Sequence, residues 1–310
     1  MKITALAGGV GGAKLARGLA EILTSEELTI IVNTGDDFEH LGLKISPDLD
    51  SVIYLLAGIA NPVTGWGIAD DTFTTYDSLR RMGAPDWFRL GDIDLATHLT
   101  RTYLYKRGDS LTKITRNICD ALSVKHMVLP MTDDPVATWI ETEESGDIPF
   151  QEYFVKKRCE PKIKSVRFAG IETAKPGERV LDSIEQSDAV IICPSNPFVS
   201  IDPILSLSEV RESVNRKLTV CVSPIIGGKA VKGPLAKMFL EMGSQPSPQS
   251  VIDHYGGLVD CLIVDSSDIS GEMLNNGSSI IFHAADILIP DKSNQIRLAL
   301  DIIKLVEKYK

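Results

Sequence analysis

The sequence holds no Cys-x-x-Cys pair, although it has five cysteines. Cys119, Cys159, Cys193, Cys221 and Cys261 are widely spaced and odd in number, which argues against a disulfide framework or a thiolate metal cluster. Cys193, Cys221 and Cys261 sit inside apolar, strand-like runs, so buried free thiols are expected, a state that fits a reducing cytoplasm. The five histidines (His40, His98, His126, His254, His283) lack metal-ligand spacing, which argues against a zinc site. Long apolar runs are also missing. The N-terminal one covers about six residues, too short for a signal peptide or a membrane span. Nor is there a surplus of positive charge: 32 basic residues against 42 acidic ones give a net charge of −10. That balance disfavours nucleic acid as a partner but leaves room for a local basic pocket. Repeats, low-complexity tracts and long linkers are absent.

What is present is an α/β alternation over 310 residues, 44% of them hydrophobic, enough for a sizeable core. Residues 3–7, 29–33 and 125–130 read as strands. Residues 50–57, 73–82, 95–105 and 111–122 read as helices, the last with Ser110 as N-cap. From residue 136 the texture changes: 136–140, 150–155 and 163–168 are strand-like without helical periodicity. Four apolar runs follow, at 189–193, 218–222, 261–264 and 279–282, then a loop at 244–250 within this stretch and an amphipathic closing helix at 296–309. Apolar strands separated by helices imply a parallel sheet covered on both faces. The expected fold is a single α/β domain over 1–310, with a Rossmann-like parallel-sheet core at about 1–135 and 187–310. A small β-rich insertion is expected at about 136–186.

The chemistry is expected in the loops after the strands, because ligands of such sheets bind beyond the strands' carboxyl ends. The first loop is Gly8-Gly9-Val10-Gly11-Gly12-Ala13-Lys14. Strand, glycine turn and helix together present backbone N–H groups to a phosphate, and Lys14 adds a positive charge. Gly9-Val10-Gly11 fits the start of a dinucleotide fingerprint, but Lys14 stands at the third glycine position. A P-loop fails as well, since Lys14 follows Ala13 and precedes Leu15. The second loop is Asn33-Thr34-Gly35-Asp36-Asp37. The third, Cys193-Pro194-Ser195-Asn196-Pro197, offers Ser195 and Asn196 on a backbone stiffened by two prolines. The fourth, Ser223 to Lys229, carries Gly227-Gly228-Lys229, with Lys232 close by. Two glycine–lysine loops suggest a diphosphate or two phosphate positions.

Carboxylates cluster between these loops. Asp36, Asp37, Asp48 and Asp50 precede Asp70-Asp71. Asp48 is also a candidate helix N-cap. Acids beside a phosphate site suggest a bridging Mg²⁺, a hard cation held by few carboxylates plus phosphate oxygens. Trp66, between two glycines, is either core or a stacking partner for a flat ring. Arg89, after Trp87-Phe88, is either a surface arginine or a holder of an anionic or carbonyl group.

Residues 7–15, 33–38, 43–51 and 193–197 together resemble the 2-phospho-L-lactate transferase family, and the resemblance runs over essentially the whole chain in order. It implies a Mg²⁺-dependent, homodimeric, cytoplasmic enzyme of coenzyme F-420 biosynthesis. Such an enzyme moves 2-phospho-L-lactate from lactyl-2-diphospho-5′-guanosine to the deazaflavin alcohol FO and releases GMP. By position, Asp50 and Arg89 would bind FO, with Trp66 in the same neighbourhood. The glycine loop (Gly9, Gly11, Gly12, Lys14), Asn33, Ser195, Asn196, Gly228 and Lys229 would face the guanosine diphosphate portion. Asp50 and Asp36 would hold Mg²⁺, with Asp50 alternatively the acceptor of the hydroxyl proton. Two rivals share features. Nucleotide-sugar-binding regulatory proteins of the gluconeogenesis-factor type share the glycine loop and the Asn-Thr-Gly-Asp-Asp segment. A NAD-dependent dehydrogenase is disfavoured by the missing third glycine and the neutral Asn33.

Overall fold

A computed structural model describes residues 1–230, 233–269 and 280–310. Lys232 and Ser279 lie outside the described residues. The strands are β1 (Ile3–Ala7), β2 (Leu28–Val32), β3 (Phe38–His40), β4 (Leu43–Ile45), β5 (Met127–Pro130), β6 (Ala137–Thr142), β7 (Gly146–Pro149), β8 (Ile163–Ala169), β9 (Ala189–Ile192), β10 (Leu218–Val222), β11 (Ile225–Ile226), β12 (Lys229–Ala230), β13 (Cys261–Asp265) and β14 (Ile281–Ala285). The helices are α1 (Gly9–Ala20), α2 (Pro47–Leu56), α3 (Thr74–Arg81), α4 (Asp94–Lys106), α5 (Leu111–Ala121), α6 (Val180–Gln186), α7 (Asp202–Leu205), α8 (Ser208–Val214), α9 (Leu235–Glu241), α10 (Pro248–Tyr255) and α11 (Lys292–Tyr309).

Seven parallel strands form the central sheet in the order β14-β13-β10-β9-β1-β2-β5. Both faces are buried, because successive side chains of each strand point to opposite sides. Ala5, Ile30, Ile191, Val220 and Ile263 join one core with α1, α2, α5 and α11. Leu6, Ile31, Ile192, Cys221 and Leu262 join a second core with α6, α8, α9 and α10. The four cysteines 119, 193, 221 and 261 are buried free thiols, and Cys159 is half-buried. Strand order reverses between β1, which leads outward to β2 and β5, and β9, which starts the other half. The crevice at that switch point is where doubly wound sheets place their ligands. A three-stranded antiparallel sheet, β7-β6-β8, lies outside the main sheet. It reaches the switch-point edge through Thr138, whose N–H donates to the Gly35 carbonyl (2.6 Å).

Three local expectations change. Residues 150–155 do not form a strand; Glu152–Lys156 is a short helical turn. Its i,i+4 pairs explain it: Phe150 stacks on Phe154 with ring centroids 5.5 Å apart, and Lys156 pairs with Glu152 at 2.9 Å. The loop at 244–250 ends earlier, because Ser247 accepts from the Ser250 N–H and Pro248 opens α10. Helix α2 starts at Pro47 rather than Asp50, with the proline at a position where its missing N–H costs nothing. Ser110 caps α5 as expected, accepting from the Lys113 N–H at 3.3 Å.

Candidate active site at the sheet's switch point

Gly8 and Gly9 turn the chain from β1 into α1, with Gly9 at φ +61°. Gly8 faces Asp48 and Ser200 so closely that a Cβ would collide with both side chains. Gly11 packs on the Pro194 carbonyl, and Gly12 packs on Ser195 and Ala7, again with no room for a Cβ. Ser195 ties the β1 and β9 loops together: its hydroxyl donates to the Gly8 carbonyl (2.8 Å) and accepts from the Gly8 N–H (3.2 Å). Asn196 caps the turn Pro197–Ile201, accepting from the Phe198 N–H at 3.0 Å. Much of the glycine motif is thus explained by close packing of the two loops that flank the switch point. Lys14 lies half-buried on the second turn of α1.

Acidic side chains gather beside this turn. Asn33, fully buried at the end of β2, donates through Nδ2 to Asp36, to Asp48 (3.0 Å) and to the Val199 carbonyl (3.1 Å). Its Oδ1 accepts from the Gly35 N–H at 2.8 Å. Asp48 also accepts from the Gly9 N–H, so a carboxylate sits at the positive N-terminus of α1. Burial lifts the Asp48 carboxyl to about 6, against the opposing hydrogen bonds from Asn33 and Gly9. Burial also pushes Asp36 well above the usual carboxylate range, and the neighbouring Asp48 charge adds to it. Asp37 is raised well by burial too, even though the Ser46 hydroxyl donates to it at 2.6 Å.

Asp50, on the first turns of α2, points the other way. Both its oxygens accept from Arg101 of α4, one from Nη1 at 3.2 Å and one from Nη2. Arg101 is 2% exposed and Asp50 5%. Behind this pair, His98 Nδ1 lies 3.2 Å from Arg101 Nη1, and His98 Nε2 lies 3.2 Å from Asp94. The Tyr54 hydroxyl closes the ring by donating to Asp94 at 2.7 Å. Sequence reasoning missed Arg101, His98, Asp94 and Tyr54. A signal existed: Asp94, His98 and Arg101 repeat at i, i+4 and i+7, one stripe of a helix.

The remaining expected residues stand apart from this cluster. Arg89 is exposed and stacks its guanidinium on the Phe73 ring, 3.5 Å from the centroid. Phe38, His40, Trp87 and Phe88 form a ring cluster beside it, with Phe38 and Phe88 edge to face at 4.8 Å. A cleft lined by His40, Leu41, Tyr76, Leu79, Phe88 and Leu90 opens there. Trp66 is 46% exposed on the turn between Ala60 and Ile68 and stacks on no other ring among the described residues. Gly228 and Lys229 belong to the β11–β12 hairpin, where Gly227 and Gly228 at φ +58° and +68° make the tight turn. The Gly227 N–H donates to Asp268 at 2.8 Å, and Lys229 is exposed.

Side-chain polar atoms that are buried without a partner concentrate at this edge. Among the described residues they are Thr34 Oγ1, Asp37 Oδ1, His98 Nε2, Arg101 Nε and Thr138 Oγ1. No three His, Cys, Asp or Glu side chains among the described residues converge to hold a metal by themselves. A carboxylate pair sharing its cation with phosphate oxygens is the arrangement Mg²⁺ prefers. Asp36 and Asp48, desolvated and mutually repelling, fit that role. Asp50 fits it less well, because Arg101 already takes both of its oxygens.

Comparison with known proteins gives the family. The family model described as 2-phospho-L-lactate transferase CofD matches residues 3–304. The chain is similar to a 2-phospho-L-lactate transferase of Methanopyrus kandleri, 41% identical over 99% of this chain and 98% of that protein. It is 38% identical to the protein of the same name from Methanosarcina mazei, over 96% and 98%. It is also 37% identical to a phosphoenolpyruvate transferase of Streptomyces coelicolor, over 100% and 99%. A crystal structure of a UPF0052 family member from Bacillus halodurans shares the fold, with TM-score 0.64 at 16% identity over 97% of this chain and 98% of that one. No helix among the described residues is long and apolar enough to cross a membrane. With a family model over residues 3–304 and relatives matched nearly end to end that are all named transferases, the chain belongs to the 2-phospho-L-lactate transferase family and is a transferase.

Proposed function

We propose that this chain transfers 2-phospho-L-lactate from lactyl-2-diphospho-5′-guanosine to the primary hydroxyl of FO, releasing GMP and forming the glutamate-free precursor of coenzyme F-420. It would do so in the cytoplasm, as a homodimer, with Mg²⁺. The observation that carries this reading is the desolvated carboxylate pair, Asp36 and Asp48, at the switch-point turn of a chain matched end to end by transferases. A nicotinamide enzyme has no use for such a pair beside its pyrophosphate, which like charges would repel.

The attack on phosphorus leaves little covalent work to the protein; positioning and charge neutralisation dominate. The N–H groups after Gly9 at the start of α1, together with Lys14, would face the diphosphate oxygens, those of Gly8 and Gly9 being taken by Ser195 and Asp48. Gly228 and Lys229 would extend that contact toward the nucleoside. Asp36 and Asp48 would hold Mg²⁺, and the chemistry it supplies when bound is polarisation of the attacked phosphoryl group. Asp50 keeps lone pairs beyond those that Arg101 uses, and these accept the hydroxyl proton of FO as attack develops. Arg89 and the rings of Phe38, Trp87 and Phe88 supply a stacking wall for the flat deazaflavin, to which Trp66 would add an exposed edge.

The test combines the wild type with Asp50→Asn. Wild type with FO, donor and Mg²⁺ is expected to yield the FO–phospholactate diester and GMP by mass spectrometry, and the variant to lose ~10²-fold or more in turnover. Near-wild-type turnover of a folded Asp50→Asn protein removes Asp50 from the chemistry. The binding-module alternative has its own signature: tight binding of a UDP-sugar with no change in FO fluorescence at saturation. Replacing the lactyl donor by its enolpyruvyl analogue decides which donor the chain prefers.

A further inference from the structure

Arg101 carries a full positive charge into the interior, and burying it is costly. A buried ion pair commonly gives no more stability than apolar side chains of the same volume, so its retention calls for a specific role. The Arg101 surroundings show how firmly it is held. Both Nη atoms go to Asp50, and Nη1 also faces the Lys44 carbonyl at 3.4 Å. A guanidinium can only donate, so His98 Nδ1, 3.2 Å from Nη1, must accept. That leaves the ring proton on Nε2, on the side of Asp94. Asp94 is fixed in turn by the Tyr54 hydroxyl from α2 and by the Asp71 side: Asp71 accepts from the Asp94 N–H at 2.9 Å. Helices α2 and α4 are therefore cross-tied twice, at Asp50–Arg101 and Tyr54–Asp94, about one turn apart along α2 and two turns apart along α4.

We propose that Arg101 is a positioning residue for the acceptor half of the transfer: its two-pronged grip fixes the plane of the Asp50 carboxylate, and His98 braces the grip through Nδ1. The carboxylate then presents its remaining lone pairs to the attacking hydroxyl in one orientation. This proposal rests on the transferase reading above and goes further by giving the acceptor side its support.

Arg101→Lys keeps the charge but cannot make the planar, two-pronged contact. In the full-length protein, with FO and donor varied separately, kcat/KM for FO is expected to fall by ~10- to 100-fold with a raised KM for FO. The KM for the donor stays within about twofold, because the donor side is untouched. An arginine with only a structural role would lower the active fraction alone, leaving kcat per titrated active site and both KM values at wild-type levels; that result overturns the proposal. A folded Arg101→Lys protein with wild-type kcat/KM for FO overturns it as well. His98→Gln, which leaves the Asp50–Arg101 pair in place, covers the case in which Arg101→Lys does not fold. It is expected to raise the KM for FO by at least ~3-fold, and an unchanged KM overturns the proposal. Failure of the transferase reading looks different: the wild type itself would make no product and bind no FO, and the proposal falls with it.

Discussion

Asp48 accepts from the α1 N-terminus and from Asn33, yet its carboxyl is lifted to about 6 by burial. A carboxyl whose folded value lies above its unfolded one holds extra protons in the native state, so stability falls as pH rises between the two. Its contribution is fully present below about 4 and lost as pH passes about 6. Asp36 and Asp37 are raised in the same direction and extend the loss upward. Asp48→Asn is therefore expected to be more stable than wild type at pH 7.5, by roughly 1–3 kcal/mol, and equal to it at pH 4. Thermal melts across pH check this, and parallel curves for the two proteins would refute it. Held between Asp36 and Asp48 as proposed, Mg²⁺ would relieve the same repulsion. It is expected to raise the wild-type melting temperature at pH 7.5 more than at pH 5, where protons compete, and to act less on Asp48→Asn. At this scale the sequence was partly readable. The acidic cluster was visible as a run of aspartates. Which of them lose water, and which one an arginine fifty-one positions away neutralises, depends on where α4 lands.

At the scale of elements, the turn into α1 does two things at once. The strand–glycine turn–helix pattern with Lys14 predicts a phosphate cradle there. In the fold, Gly11 and Gly12 let α1 lie directly on the β9 loop, and Gly9 supplies the left-handed turn. Gly11→Ala is expected to cost at least ~1–3 kcal/mol, because the new methyl meets a backbone carbonyl that cannot rotate away. A melt within a degree of wild type would show that the two loops can separate freely. Helix α4 is the element the sequence hid best. It buries Asp94, His98, Arg101 and Thr102 and exposes Leu99, Tyr103 and Tyr105. Periodicity assigns the apolar stripe of a helix to the core, and here the polar stripe faces inward. In the second glycine–lysine loop, Gly227 and Gly228 make the two-residue hairpin turn between β11 and β12, a conformation that glycine adopts without strain.

For the whole molecule, the parallel order of the sheet brings the loops after β1, β2 and β9 to one edge, and α11 closes the opposite end of the chain against α1. Gly18 of α1 touches the Gln295 carbonyl so closely that a side chain there would not fit. Arg17 Nε donates to Gln295 at 2.6 Å. Leu298, Ile302, Leu305 and Val306 of α11 are buried in the core they share with β1 and β2. Each such side chain contributes ~1.5–3 kcal/mol, which together rivals the ~5–15 kcal/mol that stabilises a typical domain. Ending the chain at Asp291 is therefore expected to abolish a cooperative thermal transition, read by circular dichroism. A truncated protein that melts cooperatively near the wild-type temperature would place the core elsewhere.

The sequence by itself determined the α/β class, the doubly covered parallel sheet, the glycine turn after the first strand and the free buried cysteines. These are local properties: apolar runs of strand length, helical spacing and turn residues report on themselves. The resemblance supplied the chemistry, which no spacing contains. Only the tertiary structure decided that Asn33, Asp36 and Asp48 meet above α1 while Asp50 turns to Arg101. Those partners are set by strand order and by helix docking, and a pairing between residues 50 and 101 leaves no periodic trace in the chain. The desolvation that gives the carboxylates their raised affinity for protons exists only once the sheet edge has closed around them.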